Sequence, residues 1–468
     1  MTTPYPPGPR SLLGINFVRQ MQRDVFGFSM DLARHYGDAA SFRIGPVRFF
    51  QFTHPEAVQE VLVKQAKKLQ KPGRLKQILG KWDGEGLLLS EGEFWIRQRR
   101  LVQQAFQPRR VQAYAQDMVR IARQMLARWE NLDEIDVVEE MHRVTLDIVC
   151  KTLFGVETQD HAEIRENVQT LQDTALLEFG RLVPLPDWLP IKNKRRMRAA
   201  IGYMNRFLDT IINQRRASRE DRGDLLSMLL LSVDHEGDGQ GMSNQQARDE
   251  AMTLLLAGHE TTATTLIWTA YLLAAHPEIQ QRTAQSVAEV LGDRPPTFED
   301  VPRLTAVDMV LKEAMRLYPA VYFTAREAAE EVEILGYHIP RGSQIHLLLY
   351  ATYHDPRWFD APEEFRPERF APGYEERLPA CAYVPFGAGP RACIGKGMAM
   401  IEATLVVATL LQSYRLSLAP GQKKPEMVAQ ISLHPRGALR LGLDRRTRPG
   451  EEGPIPTAAE EGIVGLAP

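Results

Sequence analysis

The chain has 468 residues, 44% apolar and 25% charged, and its 57 Lys and Arg nearly balance 59 Asp and Glu for a formal net charge of −2. That excludes wholesale disorder, a collagen-like or coiled-coil rod, and a strongly basic surface for nucleic acid. Three cysteines (Cys150, Cys381 and Cys393) are too few for a disulfide framework and fit a reducing compartment.

The first ten residues, MTTPYPPGPR, have no apolar core, so they read as neither signal peptide nor membrane anchor. The uncharged stretch 261–275 is 15 residues long, short of the ~20 a spanning helix needs; the expected location is the cytoplasm. After the Pro-rich lead, residues 40–52 are strand-like and residues 94–291 are mainly helical, with 225–231 a buried helix and 234–241 a Gly/Asp loop. Ser243 and Gln246 form a capping box that opens the longest helix, and Pro277 stops it. At 1.5 Å per residue such a helix spans roughly 50 Å and crosses a whole domain. Residues 326–350 read as short strands with Gly336 and Gly342 at turns, 353–390 as an irregular Pro/Gly-rich stretch, and 394–414 as a second apolar helix. The expected class is mainly α with small β-sheets, as one domain over 1–445 with a flexible tail over 446–468.

Cys393 stands out among the cysteines. It lies in FGAGPRACIG, from Phe386 to Gly395, where three glycines and a proline force an irregular turn before a helix. The N–H groups and dipole of a helix N-terminus favour thiolate over thiol. A shielded thiolate, with Arg391 two residues earlier, suits sulfur-to-iron and guanidinium-to-propionate contacts with an iron porphyrin. The competing reading is a buried structural cysteine, which suits Cys150 better. A loose nucleotide fingerprint at Gly387, Gly389 and Ala392 fails, because Pro390 interrupts the turn and no second strand follows the helix.

These residues resemble the cytochrome P-450 family of heme-thiolate monooxygenases. Phe386, Gly389, Arg391, Cys393 and Gly395 satisfy its heme-binding signature. Upstream, in family order, stand Trp95 to Arg99 (W-x-x-x-R), Ala257 to Thr262 (AGHETT), Glu313 to Arg316 (E-x-x-R) and the PERF element at 367–370. The resemblance covers about residues 5 to 445 and implies a long central helix over heme b with the cysteine loop beneath. It implies Cys393 as iron ligand and Glu260 with Thr261 as the acid–alcohol pair delivering protons. Cofactor contacts are implied for Trp95, Arg99, Ala257, Gly258, Arg326, Phe386, Gly387, Arg391 and Gly395. It implies a buried structural triad of Glu313, Arg316 and Arg369, and a pocket wall containing Leu88, Leu254, Val321 and Thr324.

Some of this has an independent physical reading. Glu313 and Arg316 share a helix face. Thr261 is four residues after Ala257, so its hydroxyl competes for that carbonyl and is expected to open the helix locally. Gly258 removes a side chain where dioxygen must sit. Thr262, Thr264 and Thr265 are expected only to pack, and His259 not to bind metal. The implied reaction inserts one oxygen atom from O2 into a hydrophobic substrate such as a fatty acid, terpenoid or steroid. A ferredoxin or flavodoxin with its reductase supplies electrons, docking on a face that includes Arg97, Arg100, Arg109 and Lys396. A peroxide-driven peroxygenase or isomerase, or a heme gas sensor, are the alternatives. The basic run 192–198 is expected to face solvent, and Arg48 is a weak candidate for a carboxylate anchor.

Overall fold

The structure, a computed structural model, describes residues 5–156, 161–181, 185–218, 220–234, 237 and 239–446. Most of the tail expected beyond residue 445 lies outside the described residues. The longest helix runs Asn244–Ala275, and its first turn is built as the sequence dictates. Ser243 Oγ accepts the Gln246 N–H (3.2 Å) and Gln246 Oε1 accepts the Ser243 N–H (2.9 Å). Every residue from Thr262 to Ala274 is buried. This half packs with helices Pro108–Arg128, Val137–Phe154, Thr305–Leu317 and Lys396–Ser413 in one apolar core, while Ala247 to Leu255 belong to a second core with Gly73–Asp83, Gly92–Ala105, Lys192–Ser218 and Leu225–Leu231. The helix therefore passes through both halves of the apolar interior.

The strand-like segments fold as read. Ala39–Ile44 and Val47–Phe52 form an antiparallel hairpin, and Val47–Phe52 pairs in parallel with Gln344–Leu347. Thr324–Ala328 and Leu69–Gln70 complete a five-stranded sheet. Gly336 and Gly342 sit at positive φ in the turns. The helices Ile15–Arg23 and Val25–Tyr36, and the two- and three-stranded sheets formed with 414–445, were not anticipated. The run 192–198 opens a helix that faces solvent at Lys192, Arg195, Arg196 and Arg198, as expected, while Lys194 turns inward and is fully buried on Glu178 (3.2 Å) and Asp187 (2.7 Å). Arg48 stacks over the Tyr5 ring at 3.8 Å.

The irregular stretch 353–390 is held from behind by one buried ion pair. Arg316 Nε and Nη2 each donate to Glu313 at 2.8 Å, and both residues are fully buried. Arg316 also donates to the carbonyls of Tyr353, Pro362 and Glu364, and Glu313 accepts the Arg366 N–H and a longer 3.4 Å contact from Arg369 Nε. Loop carbonyls that no helix or strand satisfies thus find donors inside the protein. Removing one member leaves an uncompensated buried charge, at a cost of ~3–5 kcal/mol. Glu313→Ala should lose that much in equilibrium denaturation; a loss below about 1 kcal/mol would show that the pair is dispensable to the loop.

A second buried cluster fastens residues 83–87 to the long helix. Asp249 Oδ2 accepts the Glu85 N–H, Glu250 Oε2 accepts the Leu87 N–H (3.0 Å), and Asp83 Oδ1 accepts the Thr253 hydroxyl (2.6 Å). Asp83 Oδ2 and Glu250 Oε1 have no hydrogen-bond partner among the described residues. Burial pushes Asp83 up to about 7 and Glu250 up to about 8, and the neighbouring carboxylates add to both. A raised carboxyl makes the folded protein bind more protons than the unfolded chain. Its contribution is present below the ordinary value of 4.5 and lost as pH rises through about 8. Glu250→Gln should therefore unfold at a higher temperature than the parent at pH 8 and show no gain at pH 4; equal gains at both pH values would contradict the assignment.

Candidate active site

The cysteine loop is closed by its own backbone. The Cys393 N–H donates to Phe386 O (2.8 Å), the Gly387 N–H to Val384 O (2.9 Å) and the Ala392 N–H to Gly389 O (3.1 Å). Gly387 and Gly389 adopt φ of +70° and +68°. A Cβ at Gly389 would lie 2.0 Å from Leu62 O, so only glycine lets the loop close on the 60–64 turn. Gly395 precedes the helix Lys396–Ser413, and the N–H groups of Gly395 and Lys396 point at the Cys393 sulfur. Burial nevertheless pushes the thiol up, outweighing those N–H groups, Arg99 and Lys396. Cys393 itself is exposed, open to a cofactor, and a coordinated metal ion deprotonates a thiol outright. Cys150 is fully buried and pushed up to about 12, as suits an inert core residue.

Cationic side chains gather beside this loop. The Arg391 guanidinium lies 3.9 Å from the Trp95 ring centroid, ion-pairs with Glu91 and donates to Ser90 O (2.8 Å). Arg99 Nη1 donates to Ala392 O (3.0 Å). Arg326, 8% exposed, donates to Thr324 Oγ1 (3.2 Å) and Ala325 O. Lys71, which the sequence reading missed, joins them. Its ammonium is pushed down to about 7 by burial and by Arg326 and Arg391, with Glu91 opposing. Four cationic side chains around one carboxylate make a site short of negative charge, suited to an anion such as a propionate.

On the long helix, burial is interrupted at one place. Ala257 is exposed and Leu256, Gly258 and Thr261 are half-buried, within a helix otherwise buried from Ala251 to Ala274. Thr261 Oγ1 donates to Ala257 O at 2.8 Å, as its spacing dictates. The helix stays unbroken, however, so the expected local opening is absent. A carbonyl has two lone pairs, and this one takes the hydroxyl beside the ladder N–H. A Cβ on Gly258 would stand 3.3 Å from Val149 Cγ2, so this glycine also permits close packing of the Val137–Phe154 helix.

Glu260 is 5% exposed and turned into a polar network. Its Oε2 accepts from Gln172 Nε2 (2.9 Å), and its Oε1 accepts from Ser432 Oγ (2.9 Å) and His434 Nε2 (2.5 Å). Burial alone would push Glu260 up, but the hydrogen bond and charge of His434 outweigh it and hold the carboxyl well below the usual range. Thr264 also departs from mere packing, with its hydroxyl 3.1 Å from Ser432 Oγ. His142, Glu260 and His434 offer possible metal-ligand atoms within 4.8 Å of one another. The 2.5 Å contact is a direct hydrogen bond and leaves no room for an ion between Glu260 and His434. His259 is buried, with Nε2 3.1 Å from His142 O and 3.3 Å from His142 Nδ1.

Of the wall residues, Leu88 (40%) and Val321 (38%) are exposed, beside buried Leu89 and Tyr322. Ile431 is likewise 42% exposed beside buried Ser432. Leu254 instead packs in the second core, and the Thr324 hydroxyl is taken by Arg326. Arg74 Nη2 donates to Glu178 O and Arg181 O, joining two of the segments expected to line the entrance. Of the expected docking residues, Arg97 and Arg100 turn onto Asp234, itself 2% exposed, while Arg109 and Lys396 are exposed. The donor set fits a heme: a sulfur at a helix start, an apolar gap in the long helix, and cations for two carboxylates.

The model of the family "Cytochrome P450" matches residues 4–440. Cyclooctat-9-en-7-ol 5-monooxygenase of Streptomyces melanosporofaciens is 34% identical over 90% of this chain and 91% of its own length. Cyclooctatin synthase of the same organism is 36% identical, over 87% and 89%. Pentalenene oxygenase of Streptomyces avermitilis is 32% identical, over 95% and 98%. Among the described residues no helix is long and apolar enough to cross a membrane. With its motifs in family order, the chain belongs to the cytochrome P450 family and is a heme b-binding monooxygenase that takes O2, electrons from a redox partner and a hydrophobic substrate.

Proposed function

We propose that this protein hydroxylates a cyclic terpene hydrocarbon or its alcohol, as one heme domain over residues 1–445 working in the cytoplasm. The observation that carries the substrate class is that Leu88, Ala257, Val321 and Ile431, on segments the family resemblance assigns to the pocket wall, are apolar and exposed beside buried neighbours. Arg48, the one cation considered as a carboxylate anchor, is occupied by Tyr5. A rigid hydrocarbon suits such a wall better than an acid, which needs a paired charge. Three relatives named for cyclic terpenoid products or substrates support the same class.

In this reading Cys393 holds the heme iron, and Trp95, Arg99, Arg326, Arg391 and Lys71 hold its propionates. Bound, the heme supplies activation of dioxygen and transfer of one oxygen atom to an unactivated C–H bond. The apolar wall orients the substrate and excludes water. Thr261 Oγ1 turns from Ala257 O to hold a proton at the reacting oxygen, and Glu260 replenishes it. Lys396 and Arg109, exposed on the cysteine side and at the 106–110 bend, form part of the face for an acidic ferredoxin or flavodoxin.

Cys393→Ser should abolish the long-wavelength Soret band of the reduced, CO-treated protein, while Cys150→Ser and Cys381→Ser keep it; a retained band in Cys393→Ser would refute the ligand assignment. By the spectral shift on substrate binding, cyclic terpene hydrocarbons should bind about tenfold tighter than fatty acids of equal carbon count. The reverse order would remove the terpene reading. Leu88→Phe should change which carbon is oxidised without lowering heme content, and an identical product distribution would take Leu88 out of the wall.

A further inference from the structure

The proton supply to Glu260 is not a chain leading straight to solvent. Its carboxylate meets Gln172 on the His161–Phe179 helix, Ser432 and His434 at the Leu433–Pro435 strand, and His142 on the Val137–Phe154 helix, while His259 follows on its own helix. Arg165, also on His161–Phe179, faces the two histidines His142 and His259. His434 comes from 174 residues away in the chain. Its strand is held in place by Trp268, whose Nε1 donates to Leu433 O (2.6 Å) while its ring stacks on Tyr318 at 4.0 Å. His142 is half-buried, the other two histidines are buried, and its ring stacks on His434 with centroids 5.6 Å apart.

We propose that His434 is a positioning residue that keeps Glu260 ionised in the resting protein, and that the imidazoles of His142 and His434 pass the protons that Glu260 hands to Thr261. This rests on the assignment of Glu260 and Thr261 to proton delivery. Burial pushes His142 down to about 3, so it enters the relay neutral, able to accept a proton at one ring nitrogen and release one from the other. Solvent protonates the outer ring and the proton passes to His434, over at most 4.8 Å between the facing groups, a gap one bridging water spans. His434 Nε2–H then gives its proton to Glu260 Oε1, already its hydrogen-bond acceptor. Glu260 passes it to the Thr261 hydroxyl, which loses its own proton to the reacting oxygen. Each imidazole is left as its other tautomer, which a turn of the ring resets, while Glu260 and Thr261 regain their starting state, so no co-reactant is needed beyond solvent protons.

The discriminating variant is His434→Gln, whose amide N–H still reaches Glu260 but cannot titrate. Infrared difference spectra of the resting heme protein read the protonation of Glu260 without turnover. A protonated-acid carbonyl band that the parent lacks, beyond those of buried acids such as Asp83 and Glu250, should appear at neutral pH in His434→Gln and vanish in His434→Gln/Glu260→Gln. In turnover with a reduced ferredoxin, product per electron pair should fall about tenfold with hydrogen peroxide released, against the ~10²–10⁴ that a general acid contributes. The solvent isotope effect should rise, with substrate-binding spectra and heme content unchanged. No added carbonyl band with parental yield overturns the proposal. The band without a loss of yield leaves His434 as a charge partner and overturns the relay; it also questions Glu260 itself if Glu260→Gln keeps full yield. If His434→Gln fails to hold heme, His142→Gln carries the test. It should lower the yield and raise the isotope effect with Glu260 still ionised, and parental values there overturn the relay.

Discussion

Everything at the cysteine side depends on the buried pair of Glu313 and Arg316. An irregular stretch such as 353–390 carries carbonyls that no regular ladder satisfies, and unsatisfied buried polar groups are costly. Arg316 reaches three of them, at Tyr353, Pro362 and Glu364, while Glu313 neutralises its charge and takes the Arg366 N–H. The loop then delivers Tyr353, whose hydroxyl accepts the Val384 N–H, just before the turn that presents Cys393. The sulfur is therefore placed by a network whose charged centre lies on a different helix.

The opposite wall is placed by a different kind of constraint. The long helix is fixed at both ends by apolar packing and in its first half by the Asp83–Thr253, Glu85–Asp249 and Leu87–Glu250 contacts. Those contacts hold the chain up to Leu87, so Leu88 is placed by the same helix that carries the Ala257–Thr261 gap. Between the walls Lys71, Arg326 and Arg391 share Glu91 as their carboxylate, with Arg99 beside Arg391, and a doubly anionic cofactor adds the negative charge this group lacks. The protein is thus built around charges and a thiol that it does not satisfy by itself.

Much of this was legible in the sequence where the signal is local. The capping box, the Thr261-to-Ala257 spacing, the glycines at 336, 342, 387 and 389, and the Glu313–Arg316 spacing each reduce to a few adjacent residues. What was not legible depends on distant partners. Nothing near His434 marks it as a neighbour of Glu260, and nothing in the run 192–198 tells that Lys194 is the residue turned inward onto Glu178 and Asp187. The first helix keeps helical spacing at Phe17, Val18 and Met21 and was legible, while Gly27 inside Val25–Tyr36 weakens the signal of the second.

The account stands on oxygen transfer from O2 to an apolar, cyclic substrate held between these walls. The most direct measurement is turnover of a cyclic terpene hydrocarbon under isotopically labelled O2 with a reduced ferredoxin system, followed by mass spectrometry of the product. The account predicts one labelled oxygen atom per hydroxyl formed and none from labelled water. Product oxygen drawn from water, or product formed equally well without reduced ferredoxin when peroxide is added, would contradict it.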